Sequence, residues 1–253
     1  MISKSTISLI ASLEHKKYRD RHGLFVAEGV KLVDELCARL TPYAIFATTA
    51  SGDGGSSSYN STIISEAEMK KISFLKTPSP KLGIFRIPQS ASPPLPSPCK
   101  LTLALDGVQD PGNMGAIVRL CGWFGIDMLV CSSGAASCYS PKAVQASMGA
   151  IAHVETLYTD LPDFLCMAAA KNIPVYGTFL EGRNIYREPL SEGCIVVMGS
   201  EGKGITPEVA QHISHKLYIP SFSASCGVES LNVAIASAIV CSELFKKRME
   251  NEK

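Results

Sequence analysis

A strand-like run, Cys194-Ile-Val-Val-Met198, ends in Gly199-Ser-Glu-Gly-Lys-Gly204, three glycines within six residues around Glu201 and Lys203. Open α/β sheets hold ligands in loops of this kind, at the carboxyl ends of parallel strands. Two common nucleotide loops are excluded. A phosphate-cradling loop needs Gly-Lys-Ser/Thr, and here Gly204 is followed by Ile205. The dinucleotide pattern G-x-G-x-x-G requires glycine at 207, where Pro207 stands. Taken alone, the segment also suits a purely structural turn. A second segment, Leu105 to Arg119, crosses from a strand into a helix, with Pro111, Gly112 and Asn113 turning the chain and capping the helix. Gly115, Arg119 and Gly122 share one helical face. Two glycines there permit close approach of a backbone or ligand, with the guanidinium delivered between them. The competing reading is a helix contact with Arg119 in a surface ion pair. A third segment runs from Ile219-Pro220 to Glu229-Ser-Leu-Asn232 and enters a helix with Ser230 as N-cap and Ala236, Ile239 and Val240 as its buried stripe. The start of that helix favours anions.

The elements that must position these residues read as an α/β chain. Of 253 residues, 46% are hydrophobic and 19% charged, which predicts a packed core rather than disorder. Prolines 93, 94, 96 and 98 mark an extended linker. The expected division is a small α/β domain over 1–90, a linker over 91–99 and a larger domain over 100–253. In the first part, helices are expected near 6–13 and 30–37, and strands at 23–28, 44–49, 62–64 and 82–87, with a helix over 66–72. Residues 51–61 read as a mobile Gly/Ser-rich loop. In the second part, short apolar strands at 101–105, 128–131, 175–179, 194–198 and 216–219 alternate with helices at 115–124, 141–149, 161–170, 207–213 and 231–248. That alternation predicts a buried parallel sheet with helices on both faces.

Nine cysteines, an odd number without a C-x-x-C pair, read as free thiols rather than a disulfide or zinc scaffold. His212 and His215 lack the neighbours that would complete a metal site, so no metal is expected. The apolar stretch 231–245 is interrupted by Asn232, Ser237, Ser242 and Glu243 and falls short of the roughly 20 residues of a membrane span. No signal peptide is read at the start, and a cytoplasmic protein is expected. The net charge of +1 argues against a simple polycation. It is nonetheless a sum of opposites. Up to Pro98 there are 12 Lys and Arg against 8 Asp and Glu, a net of +4, and the remainder carries −3.

In order and spacing, D-P-G-N-M-G-A-I-V-R (110–119), M-G-S-E-G-K-G (198–204) and I-P-S-F…V-E-S-L-N-V-A (219–234) resemble the three signature motifs of the SpoU (TrmH-like) RNA 2′-O-ribose methyltransferases, of the SPOUT superfamily. The match covers about 101–248, and Ser140 to Ala150 is similar to the family too. Residues 16–29, K-K-Y-R-D-R-H-G-L-F-V-A-E-G, resemble the substrate-binding domain often fused ahead of this catalytic domain.

The resemblance implies an α/β trefoil-knot methyltransferase domain preceded by an RNA-binding α/β domain, S-adenosylmethionine as cofactor, and a homodimer whose subunits pair to complete the active site. It places Gly199, Ile219 and Leu231 around the cofactor and makes Asn113, Arg119, Glu201, Ser230 and Asn232 the polar site residues. Arg119 is the group that activates the ribose hydroxyl, either by losing a proton or by stabilising the alkoxide while a phosphate or water takes the proton. Lys16, Lys17, Arg19 and Arg21 are the expected RNA-binding cluster, against the alternative of a solvated helix face. Ribosomal RNA is the expected substrate. The alternatives are a tRNA 2′-O-methyltransferase, a non-catalytic knotted RNA-binding protein, or an α/β enzyme using another nucleotide. Two departures stand out: ten residues, Pro220 to Glu229, separate Ile219 from Ser230, longer than usual in that family, and Gln145 stands where a basic residue is common.

Overall fold

The computed structural model describes residues 2–48, 59–89, 95–223, 227 and 230–251, with side chains up to Lys246. Most of the expected Gly/Ser loop, Pro93, Pro94, Cys226 and Glu229 lie outside the described residues. The chain forms two compact units, one of Met1–Gln89 with Ser137–His153, the other of Ser90–Ala136 with Val154–Lys253.

The first unit opens with α1 (Lys4–Ser12), capped by Ser3, and α2 (Lys16–His22), closed by Gly23 in the left-handed region at φ 62°. There follow β1 (Leu24–Glu28), α3 (Val30–Cys37), β2 (Pro42–Ala47), β3 (Thr62–Ile63), α4 (Glu66–Ile72) and β4 (Lys81–Arg86). The sheet order is β1-β4-β2-β3, with β4 antiparallel to both β1 and β2. Ile10, Leu13, Leu24, Val26, Phe46, Met69, Leu82 and Ile84 make its core. The buried Glu28 carboxylate is satisfied by Ser73 Oγ at 2.5 Å, Phe74 N at 3.0 Å and Ser79 N at 3.1 Å, which pins the loop between α4 and β4. The division differs from the single cut expected at 91–99. Residues 137–153, which carry α6 (Pro141–Ser147), belong to this unit because their apolar side chains pack here: the Tyr139 ring sits 5.1 Å from that of Phe25, and Ala143 and Val144 are buried.

The second unit is built on a six-stranded, fully parallel sheet of order β10-β8-β9-β5-β6-β7. Its strands are β5 (Leu101–Asp106), β6 (Met128–Ser132), β7 (Thr156–Thr159), β8 (Val175–Asn184), β9 (Cys194–Gly199) and β10 (His215–Tyr218). All six residues of β5 are buried, as a central strand covered on both faces requires. Each such Leu contributes about 1.5–3 kcal/mol through burial. Its helices are α5 (Pro111–Phe124), α7 (Leu161–Ala169), α8 (Pro207–Ala210) and α9 (Val233–Asn251). Asp110 caps α5 by accepting from Asn113 N at 2.9 Å, with Pro111 in the first turn. The cap is thus Asp110, one residue ahead of the expected Pro111-Gly112-Asn113, and the Asn113 side chain is released for other work. The sequence reading omitted β7: it is a half-exposed edge strand, T-L-Y-T, without an apolar run to mark it. Helix α9 packs along α5, where Phe124 and Phe245 stack at 5.3 Å. Its buried stripe is Val233, Ser237, Val240, Cys241 and Leu244, rotated from the expected Ala236 and Ile239.

Candidate active site

A cleft of about 1020 Å³ opens at the carboxyl ends of β8, β9 and β10. Its walls come from Thr178–Leu180, from Met198–Ile205, from Ile219–Ser223 and from the start of α9. Gly199, Ile219 and Leu231 all line it, as do Glu201 and Ser230.

The loop after β9 is a tight backbone cradle. Ser200 N donates to Gly204 O at 3.0 Å and Gly204 N returns a bond to Ser200 O at 2.9 Å. Gly204 takes φ +66°, and a Cβ on Gly199 would lie 2.2 Å from Gly204 C and 2.4 Å from Ile205 N. Any side chain at Gly199 would therefore open the loop. The far end of the loop is fixed by buried Asp106, at the tip of β5. Its Oδ2 accepts from Thr206 N at 2.7 Å and Thr206 Oγ1 at 2.8 Å. Sequence reasoning missed Asp106, although its signal was a carboxylate ending an otherwise apolar strand.

A chain of three side chains ties the motifs together. Asn113 Nδ2 donates to Glu201 Oε1. Asn113 Oδ1 accepts from Asn232 Nδ2 at 3.0 Å. Asn232 Oδ1 accepts from Ala234 N at 3.0 Å and Ile235 N at 3.3 Å, so Asn232 caps α9 in place of the expected Ser230. An amide with both donor and acceptor suits this relay, because it serves the backbone and a neighbouring side chain at once.

Arg119 is not part of this assembly. It lies six residues beyond Asn113, about 9 Å along the helix and about a third of a turn round it. It is exposed, and it does not line the cleft. The expected common face is also split, with Gly115 buried and Arg119 and Gly122 exposed. One turn on, Trp123 is 85% exposed. In the first unit, Lys16, Lys17 and Arg21 are exposed, but Arg19 is 3% exposed. Its Nη1 donates to Leu13 O at 2.9 Å and Glu14 O at 2.6 Å, locking the turn between α1 and α2. Arg19 is therefore a structural residue rather than a member of a surface cluster. Among the described residues, no group of His, Cys, Asp or Glu could hold a metal ion, and no helix is long and apolar enough to cross a membrane.

The family model described as "SpoU rRNA Methylase family" matches residues 100–242, and the "MRM3-like substrate binding domain" matches 4–83. The 23S rRNA (guanosine(2553)-2′-O)-methyltransferase RlmP of Bacillus subtilis is 28% identical over 238 residues, 92% of each chain. Human mitochondrial rRNA methyltransferase 1 is 31% identical over 60% of this chain and 47% of its own length. Among solved structures, an RNA methyltransferase of the TrmH family from Porphyromonas gingivalis superposes with TM-score 0.87 at 42% identity, covering 98% of this chain and 99% of the other. The AdoMet-bound rRNA methyltransferase of Sinorhizobium meliloti superposes with TM-score 0.82 at 26% identity, over 98% and 97%. With the family model spanning more than half of its length and all three motifs gathered at the carboxyl edge of one parallel sheet, the chain belongs to the SpoU rRNA methylase family.

Proposed function

We propose that this protein is an S-adenosylmethionine-dependent methyltransferase acting on a ribose 2′-hydroxyl of ribosomal RNA. The observation that carries the reading is the cleft at the ends of β8, β9 and β10, walled by motifs two and three and braced to motif one by Asn113, Glu201 and Asn232. The cofactor fits the residues present. Gly199 leaves no room for a side chain, so its wall is backbone, while Ile219 and Leu231 supply apolar surface and Glu201 a carboxylate. Bound there, S-adenosylmethionine supplies a methyl group already activated by a positive sulfur. The protein's share is to hold the ribose in line and to stabilise the oxygen as it becomes nucleophilic. Ribosomal RNA is favoured over tRNA because the relative that matches nearly the whole chain acts on 23S rRNA and because residues 4–83 match a substrate-binding domain.

Arg119 is the catalytic residue in this reading. A guanidinium keeps its proton, so its role is electrostatic: it stabilises the developing alkoxide while an RNA phosphate or water accepts the proton. Arg119 stands outside the cleft of its own subunit, and in this reading it completes the cleft of a second copy of the chain. The homodimer expected from the resemblance does this, and the exposed Trp123 on the same face of α5 fits a contact between subunits. The protein is expected to work in the cytoplasm.

The test is to incubate the full chain with methyl-labelled S-adenosylmethionine and unmodified 23S rRNA. Label is expected in the RNA. No transfer to ribosomal RNA or to tRNA, together with no cofactor binding, would overturn the reading.

A further inference from the structure

Two aromatic side chains stand at the rim of the cleft with no packing role that accounts for their exposure. Phe222, two residues beyond Pro220, lines the cleft yet is 88% exposed. Tyr186 follows β8 and is 41% exposed. Their ring centroids lie 6.4 Å apart with planes 33° from parallel, within the range of an aromatic pair. The turn that carries Tyr186 is fixed: Tyr186 N donates to Asn184 Oδ1 at 3.0 Å, and Ile185 N to Tyr218 O at 3.2 Å. Leu180, 74% exposed, continues the same wall of the cleft. Exposed Arg187 adjoins Tyr186 in sequence, and exposed Lys203 lines the cleft.

We propose that Phe222, backed by Tyr186, is a stacking platform for an unpaired RNA base beside the methylated ribose. The inference rests on the proposed function and names a contact within it. A base offers a π-face to a ring whatever its identity, and the adjoining phosphates suit Arg187 and Lys203. The cleft's volume is at the upper end of small-molecule sites, roughly 300–1,000 Å³, which leaves space for a nucleotide next to a cofactor.

The test uses full-length Phe222→Ala, Phe222→Trp and Tyr186→Ala, an unmodified 23S rRNA transcript, and S-adenosylmethionine titrated separately. Phe222→Ala is expected to raise KM for the transcript about tenfold or more and to leave the cofactor Kd within about twofold of wild type. Phe222→Trp should restore most of the RNA affinity, a rescue that a merely structural role would not produce. Tyr186→Ala should fall between. A loss confined to cofactor affinity would assign the rings to the cofactor, and unchanged constants in all variants would remove the platform; either overturns the proposal. A wild-type protein that transfers no methyl group fails the proposed function instead, which is a separate result.

Discussion

Asn113 in the first turn of α5 donates its amide to the Glu201 carboxylate in the loop after β9, bridging motifs that lie 88 residues apart in sequence. The same amide accepts from Asn232. Removing Asn113 therefore loosens two walls of the cleft together, whereas removing Glu201 breaks one of the two links. Asn113→Ala and Glu201→Ala should each weaken S-adenosylmethionine binding by about fivefold or more, since one hydrogen bond at a solvent-exposed site is worth about 1 kcal/mol. The double variant should cost much less than the product of the two. Titration calorimetry on the three variants checks this; additive losses would mean the two residues act separately.

Asp106 holds the other end of that loop. In Asp106→Ala the Thr206 amide and hydroxyl lose a shared, buried acceptor. A cost of about 1–3 kcal/mol is expected, with the melting temperature and the cofactor affinity both lowered. Differential scanning fluorimetry with and without cofactor separates the two effects. A variant that melts like wild type and binds cofactor normally would show that the loop holds itself.

The basic arm should divide into two kinds of residue. Neutralising Lys16, Lys17 and Arg21 together is expected to weaken RNA binding and reduce the salt slope by about two to three, with the melting temperature kept. Arg19→Ala should instead destabilise the fold by about 2–3 kcal/mol, because Leu13 O and Glu14 O lose their buried donor. Anisotropy at several salt concentrations and thermal melts distinguish the outcomes; loss of RNA affinity without loss of stability in Arg19→Ala would contradict the assignment.

Thiol chemistry reports on the core of the second unit. Burial pushes the Cys121 thiol well up, and burial with neighbouring Cys194 pushes Cys241 up to about 12. Thiolates are the reactive form. At pH 8, iodoacetamide should label the exposed Cys99 and Cys166 long before Cys121 and Cys241. The sign for stability follows. A thiol that ionises at 9.0 in its ordinary state and near 12 when folded contributes fully below about pH 9, and that contribution is lost as pH rises toward 12. Peptide mapping by mass spectrometry checks the labelling order, and equal rates at all four sites would refute the buried placement.

The parts legible in the sequence are those set by continuous apolar runs and glycine spacing. β5, β6 and β9 announced themselves because central parallel strands are buried on both faces. Gly199, Ile219 and Leu231 came with the resemblance of motifs two and three to the SpoU family, and all three line the cleft. What escaped was long-range. Only a neighbour in space tells Arg19 from Lys17, or sends residues 137–153 back to the first unit. Asp110, one residue ahead of the expected Pro111-Gly112-Asn113 turn, takes the cap and leaves the Asn113 side chain to reach Glu201. The polar end of β8, Glu181 to Asn184, carries no apolar signature and is held by pairing of Arg183 and Asn184 with β10.

The central claim is methylation of a ribose 2′-oxygen with Arg119 as the activating group. The most direct measurement is nucleoside mass spectrometry of 23S rRNA after incubation with trideuteromethyl S-adenosylmethionine and either wild-type protein or Arg119→Lys. The account predicts a single 2′-O-methylnucleoside bearing the heavy label with wild type, and at least a tenfold lower yield with Arg119→Lys, since an ammonium lacks the planar fork. Label on a base rather than a ribose, or an undiminished yield from Arg119→Lys, would contradict it.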